Sequence, residues 1–527
     1  MLRSLLGFLA IAGLMVSGCV DRPIEKPGLG GEGELPQYFP QSVEKDIDIL
    51  FVIDNSNSMA EEQVALSKNF PNFIEALKSK KLNDKIPNVH IGVITSDLGA
   101  GNYGLPSCEV AGGDGGKLQS QPRIAGCTPP SQPFISYNEG VTNIKSGTKD
   151  PIEQVKEAFP CIAEIGTGGC GFEHQIQAAQ RALDGCGTDN NNDNLGDCKF
   201  NPGFIRKDAF LAVVFITDED DCSAQKPQLF DSNQSSLSDP LGPLTSFRCF
   251  EFGIQCDIND RTKPGPRKNC KPAYDWLYKV DAYVNFFKGL KPPGRVLMFA
   301  IAGPTDKVEV GMDAQNPVLR PSCQTSMGRA APAIRIKTLI DGFGDKGFFN
   351  KGTDFSLEQD IDVNICSPDY SPALRLLGRV IVAALGGQCI SLPPLTRNGG
   401  LVCNKGDTLG TVGGQTVTCQ QSCLDKADCI VQEVVNQGTP QEKSTVVQKC
   451  EPGKFANPGD KDCGAICPCW RIVPKAGECK PSVNGSPYGL EVLRKGEPPK
   501  GAVAVTKCNI TTEKWGSDKF ASLSQCN

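Results

Sequence analysis

Four stretches of this 527-residue chain are apolar at almost every position: ILFVI (49–53), VHIGVIT (89–95), FLAVVFIT (210–217) and RVLMFAIA (295–302). A strand with one wet face alternates apolar and polar residues, so runs without alternation predict strands covered on both faces. GFFN (347–350) reads as a shorter fifth strand. Between them, helical periodicity is present over 63–78, 173–183, 273–290 and 330–340. The clearest helix is SPALRLLGRVIVAALGG, with Ser371 as N-cap, Pro372 at the first helical position and Gly386 as the stop. Strands and helices in alternation predict an α/β fold, a doubly wound and mainly parallel sheet, over residues 46–388.

The loops of that domain are long (98–150, 187–206, 221–271 and 303–329), and each contains cysteine. Long loops without periodicity are functional or need fixing, and disulfides are the expected fixing. Whether the 25 cysteines pair depends on the compartment, and the amino-terminal segment bears on that. MLRSLLGFLAIAGLMVSGC has a basic Arg3, an apolar run from Leu5 to Val16 too short for a permanent span, and small residues before Cys19. Val16-Ser17-Gly18-Cys19 resembles the lipobox of bacterial lipoproteins, which implies a signal peptide over 1–18 and a lipid on Cys19. Setting Cys19 aside leaves 25 − 1 = 24 cysteines, an even number, as disulfide pairing after export requires. Residues 20–45, rich in Pro and Gly, read as a flexible tether following that cysteine. Val20 rather than Asp after the lipidated cysteine favours the outer membrane, on its periplasmic face or at the cell surface.

From Cys389 the chain changes character, with dense Cys, Gly and Pro and short β-leaning runs (DCIVQEVV, PCWRIVPK, YGLEVLRK, GAVAVTKC). Residues 389–527 read as a disulfide-stapled, β-rich module that folds separately. A boundary there leaves twelve cysteines on each side, so each part can close its own bridges.

The first strand runs straight into Asp54, Ser56 and Ser58. Open α/β sheets bind ligands beyond the carboxyl ends of their strands. One carboxylate and two hydroxyls at alternate positions are hard oxygen donors of modest charge, suited to Mg²⁺, with Mn²⁺ or Ca²⁺ as alternatives. The same residue types also fill turns and helix caps. The DxSxS pattern after the first strand, with Asp218 in FITDEDD, resembles the metal-ion-dependent adhesion site of the von Willebrand factor type A domain. That family completes its site with a Thr in a mid-domain loop. Here the loop reads GTGGCGFEHQIQAAQRAL, and superposition places Glu173 at the Thr position, with Thr167 second. The resemblance, over 46–388, thus implies a metal set of Asp54, Ser56, Ser58, Glu173 and Asp218. A glutamate adds negative charge and weakens the cation's pull on an incoming carboxylate. Glu219 also replaces the Gly usual after the Asp. GCGFE, NPGFIRKDAFLAVVFITDEDDCS and LTSFRCFEFG further resemble the lipoprotein type A-domain proteins of myxobacteria and relatives.

Other groupings have competing readings. Asp189, Asn191 and Asp193 alternate as in a calcium loop, but Phe200 holds the twelfth position, where an EF-hand has Glu. A polar turn and a second metal site or rim both fit. Asp218–Asp221 reads either as a second metal wall or as the ligand Asp218 with Glu219, Asp220 and Asp221 as a solvated acidic rim, His90 reads as structural, and His174 as a surface group or a support for the metal. The clustered cysteines 419, 423, 429, 463, 467 and 469 read as disulfides rather than zinc ligands, since exported thiols oxidise and no His follows His174. A net charge of −6 gives no footprint for nucleic acid. No nucleophile elbow, His-Glu-x-x-His pair or P-loop is present, and the chain is expected not to be an enzyme. The function expected is an envelope-anchored lipoprotein that binds a protein or glycan partner through a divalent-metal face. A structural envelope component whose metal only steadies loops is the alternative, and a hydrolase using Glu173 and residues 218–221 the third reading.

Overall fold

The computed structural model describes residues 37–40 and 46–526 apart from 79–85, 146–149, 192, 293, 327, 355–358, 387–388, 391, 436–441, 456–461, 476–478, 480–485, 497, 500–501, 512 and 514. The signal peptide, Cys19 and most of the tether lie outside the described residues.

In chain order the large sheet and its helices are β2 (Asp46–Ile53), α1 (Ala60–Leu77), β3 (Asn88–Thr95), β4 (Ile135–Asn138), β5 (Val141–Thr142), α2 (Pro151–Ala163), α3 (Gln175–Ala182), β6 (Phe210–Ile216), α4 (Val280–Gly289), β7 (Val296–Ile301), α5 (Ile334–Asp341), β8 (Gly347–Phe349) and α6 (Ser371–Gly386). A strand β1 (Gln37–Pro40) precedes them. The strand order is β8-β7-β6-β2-β3-β4-β5, parallel from β8 to β3 and antiparallel at β4 and β5. Because side chains alternate across a strand, β2 sends Ile47, Ile49, Phe51 and Ile53 to one face and Leu50 and Val52 to the other. On the first face they meet α1, α2 and α6, where Phe159 stacks on Phe70 with centroids 3.6 Å apart and lies 5.2 Å from Phe51. The second face is covered by α3, α4 and α5 through Ile176, Phe287 and Ile336. Both faces are dry, as unalternating strands require.

β4 and the antiparallel edge strand β5 fall inside the segment 98–150 read from sequence as loop, and α2 follows directly in a stretch that carried no assignment. Asp150 caps α2 by accepting from the Ile152 and Glu153 amides at 2.8 and 3.4 Å, and Pro151 follows it. The helix expected over 273–290 begins only at Val280, since Lys271–Pro272 pairs with Ile254–Gln255 and Leu277 bridges to Ala224. Ser371 does open α6, but its hydroxyl donates to Asn69 of α1 at 2.5 Å, and Asp369 accepts from its amide.

Six disulfides tie the loops of this part: Cys108–Cys170, Cys127–Cys161, Cys186–Cys198, Cys222–Cys249, Cys256–Cys270 and Cys323–Cys366. Between Cys222 and Cys249 the chain wraps around the buried guanidinium of Arg248. It donates to the carbonyls of Leu229 (2.8 Å), Asp231 (3.0 Å), Gly242 (2.8 Å), Pro243 (3.1 Å) and Gln234. Arg248→Ala leaves these carbonyls without their donor, at about 1–3 kcal/mol for each that stays dry. Limited proteolysis is expected to cut the variant within 227–248 while the sheet persists; wild-type resistance there would contradict this.

A second sheet follows. Its strands are β9 (Cys429–Val435), β10 (Lys443–Lys449), β11 (Cys469–Pro474), β12 (Tyr488–Leu493) and β13 (Val503–Cys508), in the order β1-β13-β9-β10-β11-β12. All four β-leaning runs noted in the sequence lie in it. Its own six bridges are Cys389–Cys479, Cys403–Cys419, Cys423–Cys526, Cys429–Cys508, Cys450–Cys469 and Cys463–Cys467, and no disulfide among the described residues joins the two groups. The zinc reading of these cysteines falls with that pairing.

β1 corrects the reading of 20–45 as tether throughout. Its Gln37–Pro40 backbone pairs antiparallel with Thr506–Val503, so this sheet is completed from the other end of the chain. Tyr38 and Phe39 favour extended backbone, and Pro40 is tolerated on an edge strand.

Candidate metal centre

Strand β2 neighbours β3 on one side and β6 on the other, so the chain order reverses at its carboxyl end, where a crevice opens in doubly wound sheets. Asp54 stands there, its amide bonded to the Ile216 carbonyl at 3.0 Å. Its Oδ1 accepts from the Ser56 amide (2.7 Å) and the Ser96 hydroxyl (3.4 Å), and its Oδ2 accepts from the Thr217 hydroxyl (2.7 Å). One carboxylate thus joins the ends of three adjacent strands. The Ser56 and Ser58 hydroxyls lie 3.3 Å apart, and Ser58, exposed, is hydrogen-bonded to Asp218.

The loop leading to α3 is laid over this turn. Gln63 of α1 donates to the carbonyls of Asp54 (3.0 Å) and Gly166 (2.9 Å) and accepts from the Gly166 amide (3.1 Å). Gly169 donates to the Asn55 carbonyl at 2.8 Å, and a Cβ there would stand 2.2 Å from Asn55 Oδ1, so this approach needs glycine. The His174 amide bonds to Ser96 O (2.9 Å) and the Cys222 amide to Glu173 O (2.7 Å), which fixes Glu173 between the ends of β3 and β6. Asp54, Glu173 and Asp218 are all buried, at 0, 2 and 3 % exposure. Thr167, half-buried, lies between the two glycines held to this turn.

Burial raises the Asp54, Glu173 and Asp218 carboxyls, the latter two well above the ordinary carboxylate range. Their mutual repulsion adds to this: Glu219, Asp54 and Asp218 act on Glu173, and Asp54, Glu219 and Glu62 on Asp218. Two more carboxylates join the set, Glu62, which sequence reading did not include, and Glu219, which it read as rim. Glu62, 2 % exposed, is pushed to about 7 by burial and by Glu61 and Asp54. Glu219, half-buried, is also pushed to about 7, by burial and Asp54, with Ser246 and Arg329 opposing. Spacing could have found Glu62, four residues after Ser58 and so on the same side of a helix start.

A pH dependence follows. In cation-free protein the unfolded Glu62 loses its proton near 4.5 and the native one near 7, so in between the unfolded state binds fewer protons. Stability from this group is full below about 4.5 and is lost as pH rises through about 7, on the order of 3 kcal/mol. Thermal melts in EDTA are expected to show wild type losing stability against Glu62→Gln across that window. A pH-independent difference would contradict the buried placement of Glu62.

The residues present fit a hard cation. Oδ1 of Asp218 is buried without a hydrogen-bond partner, as is Oε2 of Glu62, and the Ser58 hydroxyl adjoins the Asp218 carboxyl. The carboxylates do not form a closed cage. Among the described residues, the one group of three or more His, Cys, Asp or Glu with ligand atoms all within 4.8 Å is Cys403, Cys419 and Cys526, whose sulfurs are in disulfides. Hydroxyls and water would complete such a site, as suits Mg²⁺, which keeps several waters.

Two expectations change. Glu219–Asp221 is not a solvated rim: Asp220 accepts from the Arg335 and Ile336 amides that open α5, at 2.9 and 3.2 Å. Asp221 accepts from the Ile176 amide of α3 (3.0 Å) and pairs with buried Arg335 (3.1 Å). His174 is buried rather than on the surface, its Nε2 3.1 Å from Gly99 O, and burial lowers its pKa. His90 is half-buried with Nδ1 2.7 Å from Phe204 O, in keeping with a structural part.

At the other end of the domain, Asp189 accepts from the Asp193 and Asn194 amides (both 3.2 Å) and Asp193 from the Leu195 amide (2.8 Å). Asn191 donates to Asp193 at 3.1 Å. These oxygens are engaged by the turn's own N–H groups, the arrangement of a polar turn.

No family model matches the chain, and no curated protein does. Among solved structures it is similar to the open conformation of the pilus adhesin SpaC from Lactobacillus rhamnosus GG, at 11% identity and a TM-score of 0.29, over 91% of this chain and 41% of that one. It is likewise similar to the pilus adhesin RrgA from Streptococcus pneumoniae, at 11% identity and 0.26, over 92% and 58%. The chain therefore spans about half the length of these structures, and at such scores the likeness bears on neither fold nor function.

Proposed function

We propose that the α/β part is a von Willebrand type A-like domain that holds one divalent cation, Mg²⁺ foremost, with Mn²⁺ or Ca²⁺ able to replace it. Asp54, Ser56, Ser58, Glu173 and Asp218 hold it. When bound, the cation would supply a positive centre in a crowd of carboxylates, next to the exposed Ser58. The observation that carries this is the buried, unpartnered Oδ1 of Asp218 beside the Ser58 hydroxyl, at the switch point of the sheet. A fully buried carboxylate oxygen is costly unless something positive meets it.

In this reading the protein is anchored at the cell envelope through a lipid on Cys19, and the cation face captures a protein or glycan partner. Among the described residues no helix is long and apolar enough to cross a membrane, so the anchor rests on the lipobox resemblance alone. A second reading has its own support: five segments meet around the carboxylates through Asp54–Ile216, Gly169–Asn55, His174–Ser96, Cys222–Glu173 and Ala331–Asp218 backbone bonds. A cation there would steady loops without touching a partner.

Pull-down from envelope extracts, with wild type and Asp54→Ala, each with Mg²⁺ or EDTA, separates the two. A partner retained only by wild type with Mg²⁺ supports capture. A partner retained in all four arms, with only wild-type melting sensitive to Mg²⁺, leaves the cation a structural part.

A further inference from the structure

Two bridges of the C-terminal part lie against each other. Cys403 pairs with Cys419 and Cys423 with Cys526, yet the sulfurs of Cys403, Cys419 and Cys526 all lie within 4.8 Å of one another. All four residues are buried. The segment that carries Cys526 is a strap: the Leu401 amide donates to Ser524 O (2.7 Å), the Cys526 amide to Leu401 O (3.0 Å), and Lys426 Nζ to Cys526 O (3.1 Å). Cys403 and Cys419 flank a hairpin of Thr408–Val412 and Gln415–Thr418, so their bridge closes its base.

We infer that the two bridges form a single thiol–disulfide exchange site, entered at Cys423–Cys526 and relayed to Cys403–Cys419, with a dithiol as the reagent. The attacking thiolate bonds to Cys423 Sγ, the Cys423–Cys526 bond breaks, and its electron pair leaves on Cys526 Sγ. That thiolate attacks Cys403 or Cys419; the bond between them breaks, and the pair leaves on the other sulfur, which takes a proton. The second thiol of the dithiol then resolves the mixed disulfide at Cys423. The dithiol is oxidised to a disulfide, and the protein ends with one bridge fewer and two thiols.

The relay step is set up by the geometry, while attack on the buried Cys423 first requires the strap that carries Cys526 to lift. Exchange requires a thiolate with direct access to a disulfide sulfur, and here the leaving sulfur of the first step already adjoins the target of the second. Relay frees one side of the hairpin base, so the outer bridge controls an element that it does not itself close.

The test is the Cys423→Ser chain, denatured in acid, alkylated with N-ethylmaleimide and mapped by mass spectrometry. The single thiol is expected to be shared, with at least roughly a tenth of the molecules alkylated at Cys403 or Cys419 and bridged from Cys526 to the other. Alkylation at Cys526 alone would overturn the inference. Should that chain fail to fold, wild type reduced briefly with dithiothreitol and acid-trapped serves instead. Its two-thiol form is expected to carry free Cys423 with free Cys403 or Cys419. Two-thiol forms containing native bridges only would overturn it.

Discussion

Asp54→Ala is expected to keep its fold and to lose its stabilisation by Mg²⁺. A ligand that binds only the native state adds RT ln(1 + [L]/Kd), about 2.7 kcal/mol at a hundredfold excess over Kd. In the variant this falls to zero, since Ser56 and Ser58 supply no negative charge. Without cation two effects oppose. The Ser56 amide and Thr217 hydroxyl lose their acceptor, each at about 1 kcal/mol, while Glu173, Asp218 and Glu219 lose a repelling neighbour. The variant in EDTA should therefore melt close to wild type. The β2 core does not depend on Asp54, because Phe51 and Ile53 pack on α1 and α2 and Leu50 and Val52 on the other face. Calorimetric melts with and without Mg²⁺ are the measurement. An equal Mg²⁺ shift in both proteins would take Asp54 out of any cation site.

The second large effect is on the sheet of β9 to β13, which reduction should unfold while the α/β sheet persists. Its apolar cluster, around Val431, Trp470, Ile472, Tyr488 and Leu490, is small beside the two that cover the large sheet. Bridges typically contribute ~2–4 kcal/mol each by restricting the unfolded chain, and this part closes six. Trp470 and Trp515 lie in it, so near-ultraviolet dichroism reports its loss. EDTA without reductant should change nothing here. Reduced cysteines holding stoichiometric zinc would contradict this reading. A fragment starting at Cys389 lacks β1 and leaves the β13 edge unpaired.

The legible parts of the chain are those where one physical requirement dominates. β2, β3, β6 and β7 are buried on both faces, which writes unbroken apolar runs into the sequence. β4 is short and lies in the antiparallel flank next to the edge strand β5, so Ile135 and Tyr137 alternate with polar residues and leave a weak signal. α2 was legible through Asp150 and Pro151, and the cysteine-rich segment around it obscured the cap. β1 lay hidden because its partner strand is more than 450 residues away, and local composition carries nothing of such pairing. At the centre, Asp54, Ser56 and Ser58 stand out by alternation at a strand end, whereas Ser96 and Thr217 join them only through folding. The acidic run after Asp218 looked solvated because sequence does not show which helix N-terminus or buried Arg335 each carboxylate will meet.

The account's central claim is that the carboxyl end of β2 holds a divalent cation. Crystals grown with Mn²⁺ and measured at a wavelength where manganese scatters anomalously test it most directly. The expected result is one strong anomalous peak at about 2.0–2.3 Å from the Ser56 and Ser58 hydroxyls, with Asp54, Glu173 and Asp218 bound directly or through water. No peak in that crevice, or a peak only at the Asp189–Asp193 turn, would contradict it.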